Sequence, residues 1–144
     1  MIKKVIEIKK NVPADDRVEL SWFDMQKPNL SAMTDKNVSF ILKVKFTHLH
    51  DNDILVCEDG YAIEIARGKD DVYVFEFSDH ISFAKNAYAI GNRHQPICIE
   101  DYKITVLDDI ALGDIVGVLQ SDDSVKVTKS NEYFRPNINE HHSH

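Results

Sequence analysis

Residues that break regular structure recur about every ten positions through the first half of the chain. Between these breaks lie short runs of β-branched and aromatic residues, several of which alternate apolar and polar side chains. The runs cover residues 5–8, 18–23, 38–46, 54–57 and 61–65. This spacing predicts an all-β domain over residues 1–70, a compact sandwich or barrel without βαβ crossovers.

The pattern of apolar residues changes beyond a charged, glycine-containing stretch at residues 66–71, which we interpret as a linker. A strand at 72–77 is followed by Asp79, which can cap a helix. Gly91 is expected to end that helix, because glycine tolerates the positive φ common at helix ends. The apolar face of the helix consists of Ile81, Phe83, Ala84, Ala87, Tyr88 and Ile90.

Two further strands, at 96–100 and 102–107, are so close in sequence that a hairpin should join them. Asp108 or Asp109 can cap a second helix, and a strand at 125–128 follows it. The stripe expected to be buried on this helix is Leu112, Ile115, Val116 and Leu119. The order β-α-β-β-α-β over residues 71–130 is that of a ferredoxin-like domain, so the predicted fold class is α+β.

The last segment, residues 131–144, contains Pro136 and three asparagines and is expected to form a flexible tail. It ends in closely spaced histidines, and imidazoles on a flexible segment can wrap a metal ion without a preformed cavity. His141, His142 and His144 are therefore candidate ligands. A fragment of a purification tag explains these histidines equally well.

His94 lies in a tight segment between a predicted helix end and a predicted strand, where a scaffold can present its side chain. Imidazole is a good ligand for nickel, copper and zinc, but a usable site needs several donors. A lone His94 can form part of a usable metal site only if a second copy of it faces the first across a two-fold axis. A purely structural role for His94 stays open.

Two other histidine positions are weaker candidates for a metal site. His48 and His50 precede Asp51 and Asp53 at metal-like spacing, but a solvated loop accounts for this cluster as well. His80, in the first turn of a predicted helix, is most simply a surface residue.

Composition argues against several classes of partner. The net charge is −7 and the pI is near 5.4. Binding to nucleic acid or to an anionic membrane needs clustered Lys and Arg, so neither partner is expected. No stretch has the ~20 apolar residues of a membrane span or the pattern of a signal peptide, so a cytoplasmic protein is expected. Cys57 and Cys98, each flanked by aliphatic residues, suit buried reduced thiols.

No motif in the sequence indicates an enzyme. The chain has no glycine-rich phosphate loop, Gly-x-Ser-x-Gly, His-Glu-x-x-His or Cys-x-x-Cys. A Cys98 nucleophile with His94 as its base would need the two side chains within ~3 Å, across the start of a strand whose side chains alternate faces. We expect a non-enzymatic protein.

The stretch Ala-Tyr-Ala-Ile-Gly-Asn-Arg-His-Gln-Pro at residues 87–96 closely resembles the urease accessory protein UreE family. Ile97 and residues 109–112 belong to the same close match, whose Gly-Asn-Arg-His-x-Pro core is specific. Weaker likenesses at 20–22, 27, 53–55, 59–60 and 134–136 extend the match over nearly the whole chain. The resemblance implies two domains followed by a short tail.

The resemblance also implies a function. It implies a homodimer whose C-terminal domains meet at the two-fold axis, where both His94 imidazoles bind one Ni²⁺ and the tail histidines complete the site. It implies delivery of nickel to the urease apoenzyme complex through a GTPase accessory protein, with the β domain as a partner-binding module. Zn²⁺ and Cu²⁺ are alternative ions for the same site.

The chain departs from some family members, which carry further histidines where this sequence has Asp108 and Ile110. With its short tail, this predicts a low capacity of about one or two ions per dimer. The alternative is a protein-interaction module without a metal, in which His94 merely packs. RNA binding is disfavoured, because the aromatic pattern of RNA-facing strands is missing.

Overall fold

The computed structural model describes residues 1–43 and 49–137 of the 144-residue chain. The chain divides into two compact units, with the division between Lys69 and Asp70. Within the described residues, no helix is both long enough and apolar enough to cross a membrane.

The first unit is mostly β, as the turn spacing predicted. Six strands form one sheet in the order β2-β6-β5-β1-β4-β3, and one short helix follows the second strand. The elements are β1 (Lys3–Lys9), β2 (Asp16–Leu20), α1 (Trp22–Met25), β3 (Leu30–Met33), β4 (Ser39–Leu42), β5 (Ile54–Cys57) and β6 (Ala62–Arg67). Its core is apolar and includes Phe40, Leu55, Ile63 and Ile65.

Several local predictions for this unit need correction. The strand predicted over 18–23 ends at Leu20, because the Ser21 hydroxyl accepts a hydrogen bond from the Asp24 amide and starts α1. Strand β3 was not predicted. Of the strand predicted over 38–46, the part from Ser39 to Leu42 forms β4. Residues 44–46 lie outside the described residues.

A buried carboxylate joins three parts of the first unit. Asp16 on β2 accepts hydrogen bonds from the Thr34 hydroxyl and, at 2.7 Å, from the Tyr61 hydroxyl. Burial opposes ionisation of Asp16, but these hydrogen bonds outweigh it, so its pKa lies below the ordinary value. The hydrogen bond from Tyr61 to Asp16 raises the pKa of Tyr61 to about 12. Asp16 therefore remains charged and links β2 to the β3–β4 turn and to the start of β6.

The second unit contains strands and helices in the predicted order. They are β7 (Asp70–Phe77), α2 (His80–Gly91), β8 (Ile97–Glu100), β9 (Lys103–Leu107), a 3-10 turn (Ile110–Leu112), α3 (Gly113–Gln120) and β10 (Val125–Glu132). The strands form a four-stranded sheet in the order β10-β7-β9-β8, with every neighbouring pair antiparallel.

Helix α2 buries only part of its predicted apolar face. Asp79 caps it by accepting from the Ser82 amide at 2.8 Å, as expected. Phe83, Ala87 and Ile90 join the core, with the Phe83 ring 5.7 Å from Phe77 and 5.6 Å from Tyr102. The other three residues of that face, Ile81, Ala84 and Tyr88, are exposed. The second helix follows the prediction in part: Asp109 caps the 3-10 turn that precedes α3, whereas α3 itself has no side-chain cap. Leu112, Val116 and Leu119 of the predicted stripe are buried, and Ile115 is half-buried.

The predicted linker and tail both prove too long. Strand β6 ends at Arg67 and β7 begins at Asp70, so only Gly68 and Lys69 lie between them. Strand β10 continues to Glu132, beyond the boundary predicted at 130, and Phe134 is 1% exposed. Residues 138–144 of the predicted tail lie outside the described residues.

The burial of Phe134 gives a testable consequence for stability. Phe134→Ala is expected to lower the free energy of unfolding of the second unit by about 3–5 kcal/mol, because it leaves a cavity. Native-state amide hydrogen exchange of β7 and β9 measures this unit by itself. Tyr133→Ala, at a neighbouring aromatic that is 50% exposed, should cost less than about 1 kcal/mol. Equal losses in the free energy of unfolding for Phe134→Ala and Tyr133→Ala would contradict the burial of Phe134 in an ordered segment.

Candidate metal-binding site

The turn between α2 and β8 presents His94 at the surface. Backbone hydrogen bonds from Asn92 to Tyr88, from Arg93 to Ile90 and from His94 to Gly91 continue and tighten the end of the helix. The left-handed backbone predicted for Gly91 is found instead at His94, whose φ is +56°. A non-glycine residue pays about 1–2 kcal/mol for this conformation. His94 is exposed, and three residues later the buried Ile97 begins β8.

The Arg93 guanidinium fixes this turn to the start of α3. One of its nitrogens donates to the Ala111 carbonyl at 3.0 Å and to Asp114 Oδ1 at 3.1 Å, while the other contacts Asp114 Oδ2. This fork-like pairing lowers the pKa of Asp114 and raises the pKa of Arg93. The residue next to His94 is therefore held by two elements distant in sequence.

A complete metal site is not present among the described residues. In residues 1–43 and 49–137, no three His, Cys, Asp or Glu side chains are grouped so that they could hold an ion. His141, His142 and His144 lie outside the described residues. A metal site that included His94 would need donors from beyond this part of the chain.

The sequence predicts buried reduced thiols at both cysteines, and the structure fully buries one of the two. Both are free; Cys57 is buried and Cys98 is half-buried. Burial raises the pKa of each thiol, and the Cys98 sulfur lies 3.9 Å from the Glu100 carboxylate, which opposes a thiolate. A Cys98 nucleophile is disfavoured by this environment.

The loop around His50 uses its carboxylates to hold its own backbone. Asp53, which is 3% exposed, accepts from the His50 amide at 2.9 Å and from Lys10 Nζ at 2.8 Å. Asp51 accepts from the Arg67 amide at 2.9 Å. These contacts account for both aspartates without a metal, and His48 lies outside the described residues. His80 is exposed at the start of α2, as predicted for a surface residue.

Two residues that sequence analysis did not single out contact residues close to His94 in the sequence. Asp114 pairs with Arg93, and Asn137 hydrogen-bonds strand β8. Arg93 lies within the recognised motif, but its partner is 21 positions away, so spacing gives no signal for the pair. Asn137 lies in the segment predicted as the tail.

An α+β protein of two units that presents an exposed imidazole on a braced turn, and in which Cys98 is disfavoured as a nucleophile, has the character of a binding protein. Family models agree with this class: "UreE urease accessory protein, N-terminal domain" matches residues 2–66, and the corresponding C-terminal domain matches residues 70–144. The chain belongs to the UreE urease accessory protein family. Its role lies in urease maturation, and it is not itself an enzyme.

Curated relatives extend this result over the full length. The urease accessory protein UreE of Aliarcobacter butzleri (strain RM4018) is 60% identical over 144 residues, covering 100% of this chain and 97% of that protein. The protein of the same name from Shewanella halifaxensis (strain HAW-EB4) is 29% identical over 143 residues, covering 92% and 76%. That of Burkholderia orbicola (strain AU 1054) is 30% identical over 111 residues, covering 76% and 52%.

Arg93→Ala is expected to raise the pKa of Asp114 towards its ordinary value, because the cation that favours the carboxylate is gone. A lowered pKa in the folded state adds stability above the ordinary pKa, and that stability is lost as the pH falls through the lowered value. The difference in stability between wild type and variant should therefore shrink on acidification below the ordinary value.

NMR titration of the side-chain carboxyl carbons measures the pKa of Asp114 in the wild type and in Arg93→Ala. Asp122 is the control, since its pKa is lowered by the Ser124 hydroxyl and should not change in Arg93→Ala. An Asp114 pKa that stays low without the guanidinium would contradict the role given to Arg93.

Proposed function

We propose that this chain is a nickel metallochaperone that delivers Ni²⁺ for assembly of the urease active site. The observation that carries the proposal is His94, an exposed imidazole in a left-handed turn whose neighbour Arg93 is paired to Asp114. Imidazole nitrogen is a suitable ligand for Ni²⁺. An exposed ligand on a braced turn suits a carrier that must both bind and release its cargo.

The ligand set is proposed to include His94 from each of two copies of the chain, with His141, His142 and His144 supplementing them. A two-fold axis doubles any ligand near it, which overcomes the shortage of grouped donors within the described part of one chain. The C-terminal family model matches through residue 144, which favours a native tail over a tag fragment. Zn²⁺ and Cu²⁺ should compete for the same imidazoles.

The homodimer is proposed to form through the exposed face of α2. Ile81, Ala84 and Tyr88 lie on one face at i, i+3 and i+7, and the helix leads directly into the His94 turn. An interface between two copies of this face would remove apolar surface from water and bring the two turns towards the axis. The strand order β10-β7-β9-β8, antiparallel throughout, supports a ferredoxin-like arrangement of this unit.

The recipient of the nickel is proposed to be the urease apoenzyme complex, reached through a GTPase accessory protein, with the first unit as the partner-binding module. Membership in a urease accessory family supports this assignment. The two free cysteines support a reducing, cytoplasmic compartment.

His94→Ala is expected to weaken Ni²⁺ binding by at least about tenfold, because it removes a ligand from both halves of the shared site. Calorimetric titration of the full chain measures the affinity and the number of ions per dimer. His80→Ala, which removes another exposed imidazole from α2, should bind like wild type.

A chain truncated after Asn139 separates the contribution of the tail. If His94→Ala in this truncated chain binds Ni²⁺ as tightly as its truncated parent, the central site is misassigned. In that case the interaction module without a metal becomes the better description.

Tyr88→Asp is expected to convert the dimer to a monomer, because it places a charge in an interface that should be dry. Light scattering measures the mass. Val118→Asp on α3 is the matched control, since Val118 is 70% and Tyr88 73% exposed. A dimer that survives Tyr88→Asp but not Val118→Asp would place the interface on the other helix.

A further inference from the structure

The two edge strands of the first unit, β2 and β3, stand at opposite ends of its sheet. Strand β1 changes register part-way along its length, and its first residues pair with β4 whereas its last residues pair with β5. A register shift of this kind bends a strand, so the β3–β4 hairpin can fold back across the core. The turn of this hairpin, residues 34–38, contacts β2, where the Asp35 amide donates to the Arg17 carbonyl at 2.8 Å.

The hairpin and β2 also meet at Asp16, which is 7% exposed. Its Oδ2 accepts from the Thr34 hydroxyl of the hairpin and from the Tyr61 hydroxyl, which lies outside the hairpin. Its Oδ1 accepts from the Lys36 amide of the hairpin at 3.3 Å. Hydrogen bonds to a carboxylate are stronger than those between neutral groups, and a buried carboxylate that loses a donor bears the cost of desolvation. Asp16 therefore fixes the hairpin to β2.

Two further contacts between the hairpin and β2 lie at the surface. Arg17 pairs with Asp35 at 3.1 Å, and Lys36 Nζ donates to the Asp15 carbonyl at 2.6 Å. Exposed ion pairs contribute little, because their attraction is weak in water and holding two long side chains costs entropy. The buried carboxylate is thus the stronger link between the hairpin and β2.

On its other side the hairpin is attached to β1. Within the described residues, β4 pairs with β1 at two positions, Phe40 and Ile41, whereas β2 pairs with β6 at five. Hydrogen-bonded pairs alternate along an antiparallel hairpin, and the Thr34 amide donates to the Val38 carbonyl. By this alternation the Ile41 amide points away from β3, towards β1. The Asp35 amide therefore reports on the β2 side of the hairpin, and the Ile41 amide on the β1 side.

We propose that the β3–β4 hairpin is a flap, joined to the first unit at β1 and locked onto β2 by the Asp16 carboxylate, which opens as one unit while the rest of the first unit stays folded. Opening uncovers the apolar side chains that the flap contributes to the core, Leu30, Phe40 and Leu42. Proteins open locally in cooperative units that often coincide with motifs such as a hairpin. The lock then sets how often this apolar surface is exposed.

Amide hydrogen exchange of the full chain, followed residue by residue by NMR, tests the flap. Thr34→Val leaves the carboxylate one donor short while the flap is closed, whereas water can replace that donor while it is open. Exchange at Asp35 and at Ile41 should therefore accelerate by the same factor, about tenfold or more. The Ile65 amide, which donates to the Asp53 carbonyl outside the flap, should exchange as in wild type.

Tyr61→Phe is the matched control, because it removes the other hydroxyl that donates to the same carboxylate oxygen. Tyr61 lies outside the flap, so its bond to Asp16 does not depend on whether the flap is closed. Its loss should change exchange at Asp35 and Ile41 little. Thr34→Ser keeps the hydroxyl and should retain the slow exchange of wild type.

Thr34→Val also removes the hydroxyl oxygen that accepts from the Val38 amide at 3.0 Å. An Asp16→Asn background separates the two effects. The acceleration caused by Thr34→Val should be smaller in that background if it comes from the charged lock, because the charge is already gone. An equal factor in both backgrounds assigns it to the Val38 bond and overturns the lock.

Three other results would also overturn the proposal. Acceleration of the Ile65 amide by the same factor means that the whole unit unfolds, and acceleration at Asp35 without Ile41 means that only the turn frays. An effect of Tyr61→Phe on Asp35 and Ile41 as large as that of Thr34→Val means that Asp16 stabilises the unit without controlling the hairpin.

Discussion

The surroundings of His94 depend on one charge-assisted contact, between Arg93 and Asp114. The guanidinium is planar and presents several donors in a fixed geometry, so it can engage both carboxylate oxygens and the Ala111 carbonyl together. It thereby joins the end of α2 to the beginning of α3. His94 follows directly and adopts a left-handed backbone that neighbouring structure must hold in place. Both side chains of the pair are partly exposed, so its value lies in positioning more than in global stability.

A nickel carrier faces opposing requirements, and the described part of the second unit is consistent with both. Tight binding needs several donors, whereas release needs a site that is not enclosed. An exposed imidazole on each chain would satisfy the second requirement, and subunit symmetry would satisfy the first.

Local sequence patterns predicted the structure best where the signal and the structure that it specifies lie in the same element. Asp79 and Asp109 cap as expected, and the stripe through Leu112, Val116 and Leu119 is buried. Patterns failed where two local signals competed. The apolar run through residues 18–23 predicted a strand, but the Ser21 cap won and started a helix. Gly91 was expected to take the positive φ, which the structure instead gives to His94.

The sequence by itself determined the order of the elements in the second unit, the α+β class and the histidine on which the proposed site is centred, because periodicity, caps and a specific motif are local properties. Tertiary structure alone decided which half of the α2 apolar face is buried, which carboxylate pairs with Arg93, and where the chain after β10 is fastened. These contacts join residues far apart in sequence: Arg93 and Asp114 are 21 positions apart, and Ile99 and Asn137 are 38. Such pairings follow from how the chain folds back on itself, which no local pattern encodes.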